Sequence, residues 1–158
     1  MFLTLQSDSL DETRRLGAAL AACLAPGDVV ALDGELGAGK THLVQAITQA
    51  LEVDPEEVHS PTFVLIQEYD GRIPICHIDA YRLNDIDEFL ELGADELLGG
   101  DAVTLIEWAS RVKDVLPRDR LSIQITSSGE TSRTLLITSS GTRSQQIISG
   151  WVAALNDN

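Results

Sequence analysis

The sequence Gly-Glu-Leu-Gly-Ala-Gly-Lys-Thr at residues 34–41 constrains the local structure of this 158-residue chain more than any other feature. It fits the pattern G-x-x-x-x-G-K-[ST], in which backbone N–H groups at the start of a helix bind phosphate. The apolar run at residues 29–32 predicts a buried strand, and apolar side chains recur at helical spacing between residues 43 and 51. This strand–loop–helix order favours a phosphate-binding loop over the alternative, a glycine-rich turn before an ordinary helix.

Each residue type in this loop has a specific use in phosphate binding. The glycines let the backbone turn tightly and come close to a ligand. Lys40 is expected to reach the β- and γ-phosphates of a nucleotide, and the Thr41 hydroxyl is expected to bind Mg²⁺. His42 follows the motif and is also interpretable as an ordinary helical residue. The candidate nucleotide contacts in this segment are Glu35, Gly37, Ala38, Gly39, Lys40, Thr41 and His42.

The charge of the chain argues against extensive direct contact with nucleic acid. Eleven basic and 25 acidic residues give a formal net charge of −14, and such a surface repels a polyanion on average. A basic protein partner is compatible with this charge, and plain solubility is the alternative explanation. The apolar runs are too short to span a bilayer. No signal peptide is recognisable at residues 1–9. The two isolated cysteines, Cys23 and Cys76, are expected to be buried reduced thiols in a cytoplasmic protein, with one disulfide between them as the alternative.

The hydrophobic pattern predicts one α/β domain over residues 1–158, with a P-loop NTPase-like fold and a mixed sheet flanked by helices. The helix after the phosphate loop is expected to run to about residue 53. Strands at residues 63–69 and 73–78 follow, joined by an Asp-Gly hairpin turn. A hairpin in this place requires antiparallel pairing, unlike the all-parallel order of most nucleotide kinases.

The remaining segments complete this predicted sheet and its helices. A short edge strand is expected at residues 2–5, and Ser9 and Glu12 fit a capping box that opens a first helix. Residues 86–98 are expected to form one or two short helices. A second hairpin is predicted from residues 121–125 and 134–138, followed by a closing amphipathic helix.

Two acids follow buried strands and are candidates for the chemistry. Asp79 closes the strand that ends at Ile78, and Glu107 closes the apolar run 103–106. Strand ends place such acids beside a phosphate loop. Asp79 is expected to bind the metal, directly or through water, with Thr41, while Glu107 is expected to position or activate an attacking water and is also a candidate metal ligand. The alternative for both is an acid that merely leaves the core at a strand end.

Several nearby residues have two interpretations each. Thr62 lies where a switch threonine senses the γ-phosphate in GTPase-like proteins, and a plain loop threonine is the alternative. Trp108 either covers the nucleotide or anchors the core. His77 lies on the same strand face as Asp79, where it either orients the site or is structural. Arg82 either neutralises phosphate charge or forms a surface ion pair.

Several stretches taken together resemble the TsaE family, formerly YjeE, the bacterial ATPase of tRNA threonylcarbamoyladenosine synthesis. The resemblance covers residues 9–117. Beyond the phosphate loop it includes Glu12-Thr13 and Leu16-Gly17 in the first helix, and it is carried mainly by Ser60-Pro61-Thr62-Phe63, Glu68-Tyr69, His77-Ile78-Asp79-Ala80-Tyr81-Arg82-Leu83 and Ile106-Glu107-Trp108.

The resemblance implies a small P-loop fold with a mixed sheet, ATP and Mg²⁺ as cofactors, and a cytoplasmic complex with the proteins TsaD and TsaB. In that system TsaD transfers the threonylcarbamoyl group to adenosine 37 of tRNAs that read codons beginning with A, and TsaE hydrolyses ATP to keep the complex turning over. By this similarity Lys40 and Thr41 bind phosphate and metal, and Asp79 is the acid beside the metal. Thr62 is a catalytic candidate in a switch-like loop, and Glu107 and Trp108 lie at the active site.

The sequence departs from the family pattern at a few positions, and two other functions are alternatives. Family members often have Pro and Glu after the Glu-Trp pair, where this chain has Ala109 and Ser110, and His42 replaces a common Thr. A small-molecule kinase is a second hypothesis, but residues 85–101 contain no Arg or Lys for an arginine-bearing lid. A third hypothesis is a nucleotide-dependent assembly factor in which binding alone is the output.

Overall fold

Seven strands form one mixed sheet in the part of the chain that is described. A computed structural model describes residues 1–58, 66–83, 85–91, 93, 96, 98 and 100–157. The strands are β1 (Phe2–Ser7), β2 (Val29–Asp33), β3 (Ile66–Asp70), β4 (Pro74–Asp79), β5 (Val103–Glu107), β6 (Leu121–Ser127) and β7 (Arg133–Ser139). The helices are α1 (Leu10–Ala21), α2 (Lys40–Ala50), α3 (Ile86–Glu91) and α4 (Thr142–Asn156), with 3₁₀ segments at Pro55–Glu57 and Ala109–Val115.

The sheet has a parallel centre and antiparallel edges. Its strand order is β1-β7-β6-β2-β5-β4-β3. Strands β6, β2, β5 and β4 are parallel to one another, whereas β7 pairs antiparallel with both β6 and β1, and β3 pairs antiparallel with β4. Both predicted hairpins are present, although residues 63–65 of the first predicted strand lie outside the described residues. The predicted mixed α/β fold is confirmed.

The central strands are buried on both faces, as near-continuous apolar sequences require in a sheet covered on two sides. Val30 and Leu32 of β2 face one cluster, which includes residues of α1, α2 and α4. Val29 and Ala31 face the opposite cluster, to which α3 contributes Phe89. This alternation follows from the two-residue period of a strand. None of the helices among the described residues is long and apolar enough to cross a bilayer.

Helix α2 ends at Ala50, before the predicted residue 53. Glu52 adopts a left-handed conformation with φ of 70°, which turns the chain out of the helix. The carbonyl of Leu51 accepts a 2.6 Å hydrogen bond from the backbone N–H of Arg72, in the β3–β4 turn. A Cβ at Gly71 would lie 2.3 Å from that carbonyl oxygen, so the hairpin turn needs glycine to dock against the helix end.

The N-terminal segment differs in detail from its prediction. Strand β1 is an edge strand, as expected, but it continues to Ser7 because its pairing with β7 extends to Arg133. The Ser9 hydroxyl accepts a 3.1 Å bond from the Glu12 N–H. The Glu12 carboxylate accepts from the Asp8 N–H at 2.8 Å, one residue before the position that a capping box predicts.

Helices α1 and α2 approach each other closely at Gly17. A Cβ at this position would lie 2.5 Å from the Cβ of Ala46, a distance that requires the two helices to move apart. Leu16 and Leu20 flank this contact and are buried in the main cluster. The contact seats α2, whose first residue is Lys40, against the rest of the fold.

We expect Gly17→Val to destabilise the protein by about 1–3 kcal/mol, because the branched side chain overpacks the α1–α2 contact. The free energy of unfolding is measured by chemical denaturation. The slope of this free energy against denaturant concentration should not change. Ala18→Val is the matched control, since Ala18 is exposed on the same helix, and it should cost less than about 0.7 kcal/mol through helix propensity. Equal losses for the two variants would contradict the proposed steric role of Gly17.

Candidate active site

The carboxyl ends of three parallel strands bring the candidate residues to one edge of the sheet. In the register of the sheet, Leu32 of β2 lies opposite Glu107 of β5, and Glu107 lies opposite Asp79 of β4. The segment at residues 34–39 leaves β2 at this same edge and leads into α2. The phosphate-loop motif and both predicted acids are therefore adjacent in space.

The backbone of the loop has the conformation that its glycines permit. Gly37 and Gly39 have φ of 80° and 107°, in the left-handed region that favours glycine. A Cβ at Gly34 would lie 2.6 Å from the carbonyl oxygen of Ile125, so the loop also needs glycine for close packing on β6. Helix α2 begins at Lys40, and no side chain in the described part of the chain caps it. Its first-turn N–H groups have no partner within the helix, an arrangement that suits an anion.

Lys40 is a buried cation inside this loop. Its side chain is 5% exposed, and Nζ donates hydrogen bonds to the carbonyl oxygens of Gly34 and, at 3.0 Å, of Glu35. Burial lowers the pKa of the ammonium, while the neighbouring carboxylates of Glu107 and Asp79, and that of Asp33, oppose this shift. The positive charge therefore lies at the junction of the loop and the two strand-end acids.

Glu107 connects the sheet to the start of α2. Its side chain is 3% exposed, and Oε1 accepts a 3.1 Å hydrogen bond from the Thr41 hydroxyl. Oε2 lies 2.6 Å from Nε2 of His77. Asp79 is half-buried, and its Oδ1 accepts a 2.9 Å bond from the backbone N–H of Tyr81. Both carboxylates lie on the side of the sheet that carries the loop, close enough to Lys40 to affect its pKa. The two acids and the loop can therefore form one site.

The ring of Trp108 covers Lys40. Nζ of Lys40 lies 4.1 Å from the ring centroid, a cation–π distance. Trp108 has a left-handed backbone with φ of 59°, uncommon for a residue with a side chain. The Tyr81 ring packs against it with centroids 4.9 Å apart, and the Asp33 carboxylate accepts a 3.0 Å bond from the Ser110 N–H, which holds the following segment. The half-buried Trp108 also packs against the cluster that includes Phe89, so it both contacts the core and covers Lys40. Its predicted contact with a nucleotide stays a prediction.

Arg133 is a site residue that the sequence did not reveal. It begins β7, and its Nε donates a 2.9 Å hydrogen bond to the carbonyl of Ala38 in the phosphate loop. Its Nη1 donates to the carbonyls of Ser132, at 2.8 Å, and Gly129, at 3.1 Å, in the β6–β7 turn. No local pattern indicates this role, because only the sheet order β7-β6-β2 brings Arg133 to the loop.

A cavity of about 430 Å³ also borders the loop. It lies between the starts of α1 and α2 and the β6–β7 hairpin, and Gly39, His42 and Arg133 contribute to its wall. Ser9 and Thr13 supply hydroxyl groups, while the apolar part of the wall comes from Leu10, Leu43, Ile125 and Leu135. No sequence pattern in these segments predicts this cavity.

The side chains of several other predicted site residues do not contact Lys40, Thr41 or Glu107 in the hydrogen bonds described above. Glu35 contributes its backbone carbonyl to Lys40, and its own side chain is exposed. His42 is exposed at the cavity rather than beside Thr41 and Glu107. Arg82 is exposed. Thr62 lies outside the described residues, so its predicted switch role stays a prediction.

Comparison with known proteins identifies the family. The family model described as "Threonylcarbamoyl adenosine biosynthesis protein TsaE" matches residues 7–135. The chain belongs to the TsaE family. The motifs in the sequence supported a resemblance over residues 9–117. The family model extends past this limit and includes Arg133.

Individual relatives and a solved structure agree with this assignment. The chain is 40% identical over 138 residues to the tRNA threonylcarbamoyladenosine biosynthesis protein TsaE of Bacillus subtilis, covering 87% of this chain and 85% of that protein. It is 43% identical over 117 residues to the Streptomyces coelicolor TsaE, covering 71% and 77% of the two chains. The crystal structure of Bacillus subtilis YdiB superimposes with a TM-score of 0.82 at 33% identity, over 100% of this chain and 97% of that one.

We expect Arg133→Met to loosen the phosphate loop of this TsaE-family chain, because the Ala38 carbonyl loses its guanidinium donor. Hydrogen exchange of a peptide that covers residues 34–42 should become about 3–10-fold faster, since local opening free energy falls by about the value of one such bond. Arg72→Met is the control, because Arg72 is exposed in the β3–β4 turn. If loop exchange is the same in the two variants, Arg133 does not hold the loop.

Proposed function

We propose that this chain is an Mg²⁺-dependent ATPase that acts in the biosynthesis of threonylcarbamoyladenosine in tRNA. The observation that carries the proposal is the contact between Thr41 and Glu107, which joins the phosphate-loop helix to an acid at the end of β5. Membership of the TsaE family supports the pathway, and it does not favour the small-molecule kinase alternative.

The loop would bind the triphosphate and the cavity would bind the nucleoside. Backbone N–H groups at the start of α2 would bind phosphate oxygens, and the Lys40 ammonium would turn from loop carbonyls to the β- and γ-phosphates. The 430 Å³ cavity beside Gly39 combines hydroxyl groups with apolar walls, and its size lies in the usual range for small-molecule sites. Trp108 would cover the phosphate end of the nucleotide, since its ring lies over Lys40.

The metal would bind at the carboxyl ends of β4 and β5. Thr41, Asp79 and Glu107 offer a hydroxyl and two carboxylates, the oxygen ligands that Mg²⁺ prefers. In the described part of the chain, no three or more His, Cys, Asp or Glu side chains form a metal site by themselves. This fits Mg²⁺, which is commonly held by one or two protein oxygens together with substrate phosphates and water. When bound, the ion would neutralise charge on the phosphate oxygens.

Hydrolysis would depend on positioning and on Glu107. A water aligned with the bond between the γ-phosphorus and its bridging oxygen attacks phosphorus, and ADP leaves. Glu107 would orient this water and accept its proton. Lys40 would stabilise negative charge on the phosphoryl group, which is worth most in a site that excludes water. The 3% exposure of Glu107 and the 5% exposure of Lys40 support such a site.

We propose that TsaD and TsaB are the partners of this chain, and that the complex assembles in the cytoplasm. The names of the relatives concern the same modification of tRNA. The net charge of −14 supports contact with proteins rather than direct, extensive contact with the RNA. In this arrangement ATP hydrolysis drives turnover of the TsaD–TsaB complex, and TsaD carries out the transfer to adenosine.

We expect slow phosphate release from ATP by the chain alone and faster release when TsaD and TsaB are added together. The physical reason is that a partner surface completes or orders the site and excludes water from it. The measurement is phosphate release at fixed ATP and Mg²⁺, with TsaD or TsaB alone as controls. Equal rates with and without the pair would contradict partner activation while leaving hydrolysis itself supported.

We expect Glu107→Gln and Lys40→Ala to separate binding from hydrolysis. Glu107→Gln should retain ATP binding but lose phosphate release by about 10²-fold or more, because the amide cannot accept the proton. Lys40→Ala should lose both, since phosphate binding needs the ammonium. Calorimetric ATP titration and tRNA modification assays check this. Full tRNA modification with Glu107→Gln would favour an assembly factor that needs binding alone.

A further inference from the structure

A buried line of polar side chains extends from Glu107 away from the phosphate loop. Strands β5, β4 and β3 are neighbours in the sheet. Leu105 lies opposite His77 in the register, and Glu107 lies opposite Asp79. Because side chains alternate between faces, Glu107, His77 and Asp79 project to the same side, the side on which α2 packs. His77 is fully buried there, and nothing in the proposed reaction uses it directly.

The hydrogen bonds along this line are continuous. Nε2 of His77 lies 2.6 Å from Oε2 of Glu107, and Nδ1 lies 3.2 Å from the Tyr69 hydroxyl. The Tyr69 hydroxyl donates to Oε1 of Gln67 at 2.5 Å. The Tyr69 hydroxyl thus contacts both Gln67 and Nδ1 of His77. The ionised carboxylate on which the proposed reaction depends has only acceptor oxygens, so Nε2 is the donor in this contact.

This line fixes the orientation of the Glu107 carboxylate. One carboxylate oxygen is bound by Thr41 and the other by His77, so rotation of the carboxylate would break a buried, charge-assisted hydrogen bond. The imidazole cannot easily rotate either, because Tyr69 holds its other nitrogen and Tyr69 is itself 6% exposed. Partners that hold a ligating or catalytic side chain in this way commonly affect activity without touching substrate.

We propose that His77 is a positioning residue for ATP hydrolysis, which orients the Glu107 carboxylate towards the phosphate loop and is itself held by Tyr69. The inference rests on the proposed ATPase function. The competing explanation is purely structural: a buried histidine that ties β4 to its neighbours. That explanation predicts a loss of stability, whereas positioning predicts a loss of kcat that a side chain with a suitable donor restores.

The test compares His77→Leu with His77→Gln in the full chain, with and without TsaD and TsaB. Leucine fills the space but has no donor, and the glutamine amide can donate to Glu107. We expect His77→Leu to lower kcat by about 10–100-fold, and His77→Gln to return to within about fivefold of the unaltered chain. KM for ATP should change much less than kcat, the sign of an interaction that matters in the transition state.

Two further measurements separate positioning from folding. Affinity for ADP without Mg²⁺, measured by calorimetry, should stay within about twofold in all variants, because the phosphate loop is unaltered. Cys76→Ala is the matched control, since Cys76 is buried on the opposite face of the same strand. It should lower the unfolding temperature and leave kcat unchanged.

The outcomes distinguish this inference from the function on which it rests. Suppose that the unaltered chain releases phosphate. Then a kcat of His77→Leu within about twofold of the unaltered value overturns the positioning role alone. A kcat of His77→Gln no higher than that of His77→Leu does the same. An unaltered chain that releases no phosphate under any condition overturns both. If His77→Leu does not fold, Tyr69→Phe decides: removal of its hydroxyl should lower kcat about 2–10-fold, and an unchanged kcat would reject the inference.

Discussion

The hydrogen bond between Thr41 and the buried carboxylate of Glu107 is the contact on which the candidate site depends. It joins the first turn of α2 to the end of β5 through two residues that are 66 positions apart in the chain. A carboxylate that is 3% exposed needs polar partners to offset its desolvation. Thr41 and His77 bind its two oxygens. The carboxylate that the proposed reaction requires therefore also holds α2 and β4 against the end of β5.

The sheet explains why these groups meet. Parallel pairing of β2, β5 and β4 places three carboxyl ends at one edge, where α2 begins. Open α/β sheets generally bind ligands at this edge, because loops that leave the strands and helix N-termini converge there. The antiparallel strands at the two sides of the sheet contribute residues that hold the site in place. The β6–β7 hairpin brings Arg133 to the phosphate loop, and β3 brings Tyr69 to His77.

Much of this arrangement was predictable because its signals are local. The phosphate loop has residues of fixed type at fixed spacing, and an Asp-Gly turn between two strand patterns indicates a hairpin. Asp79 and Glu107 were recognisable as acids that follow buried strands. Boundaries were less accurate: α2 ends at Ala50 because the β3–β4 turn docks against Leu51, an interaction between distant segments.

The sequence by itself determined the strand–loop–helix unit, the mixed sheet and the family, since each depends on periodicity or on motifs within short segments. Only the tertiary structure decided that His77 contacts Glu107, that Trp108 covers Lys40 and that Arg133 reaches the carbonyl of Ala38. The first two depend on side-chain direction at a strand end and on a left-handed residue. The third depends on the order of strands in the sheet, which the sequence pattern of any one segment does not contain.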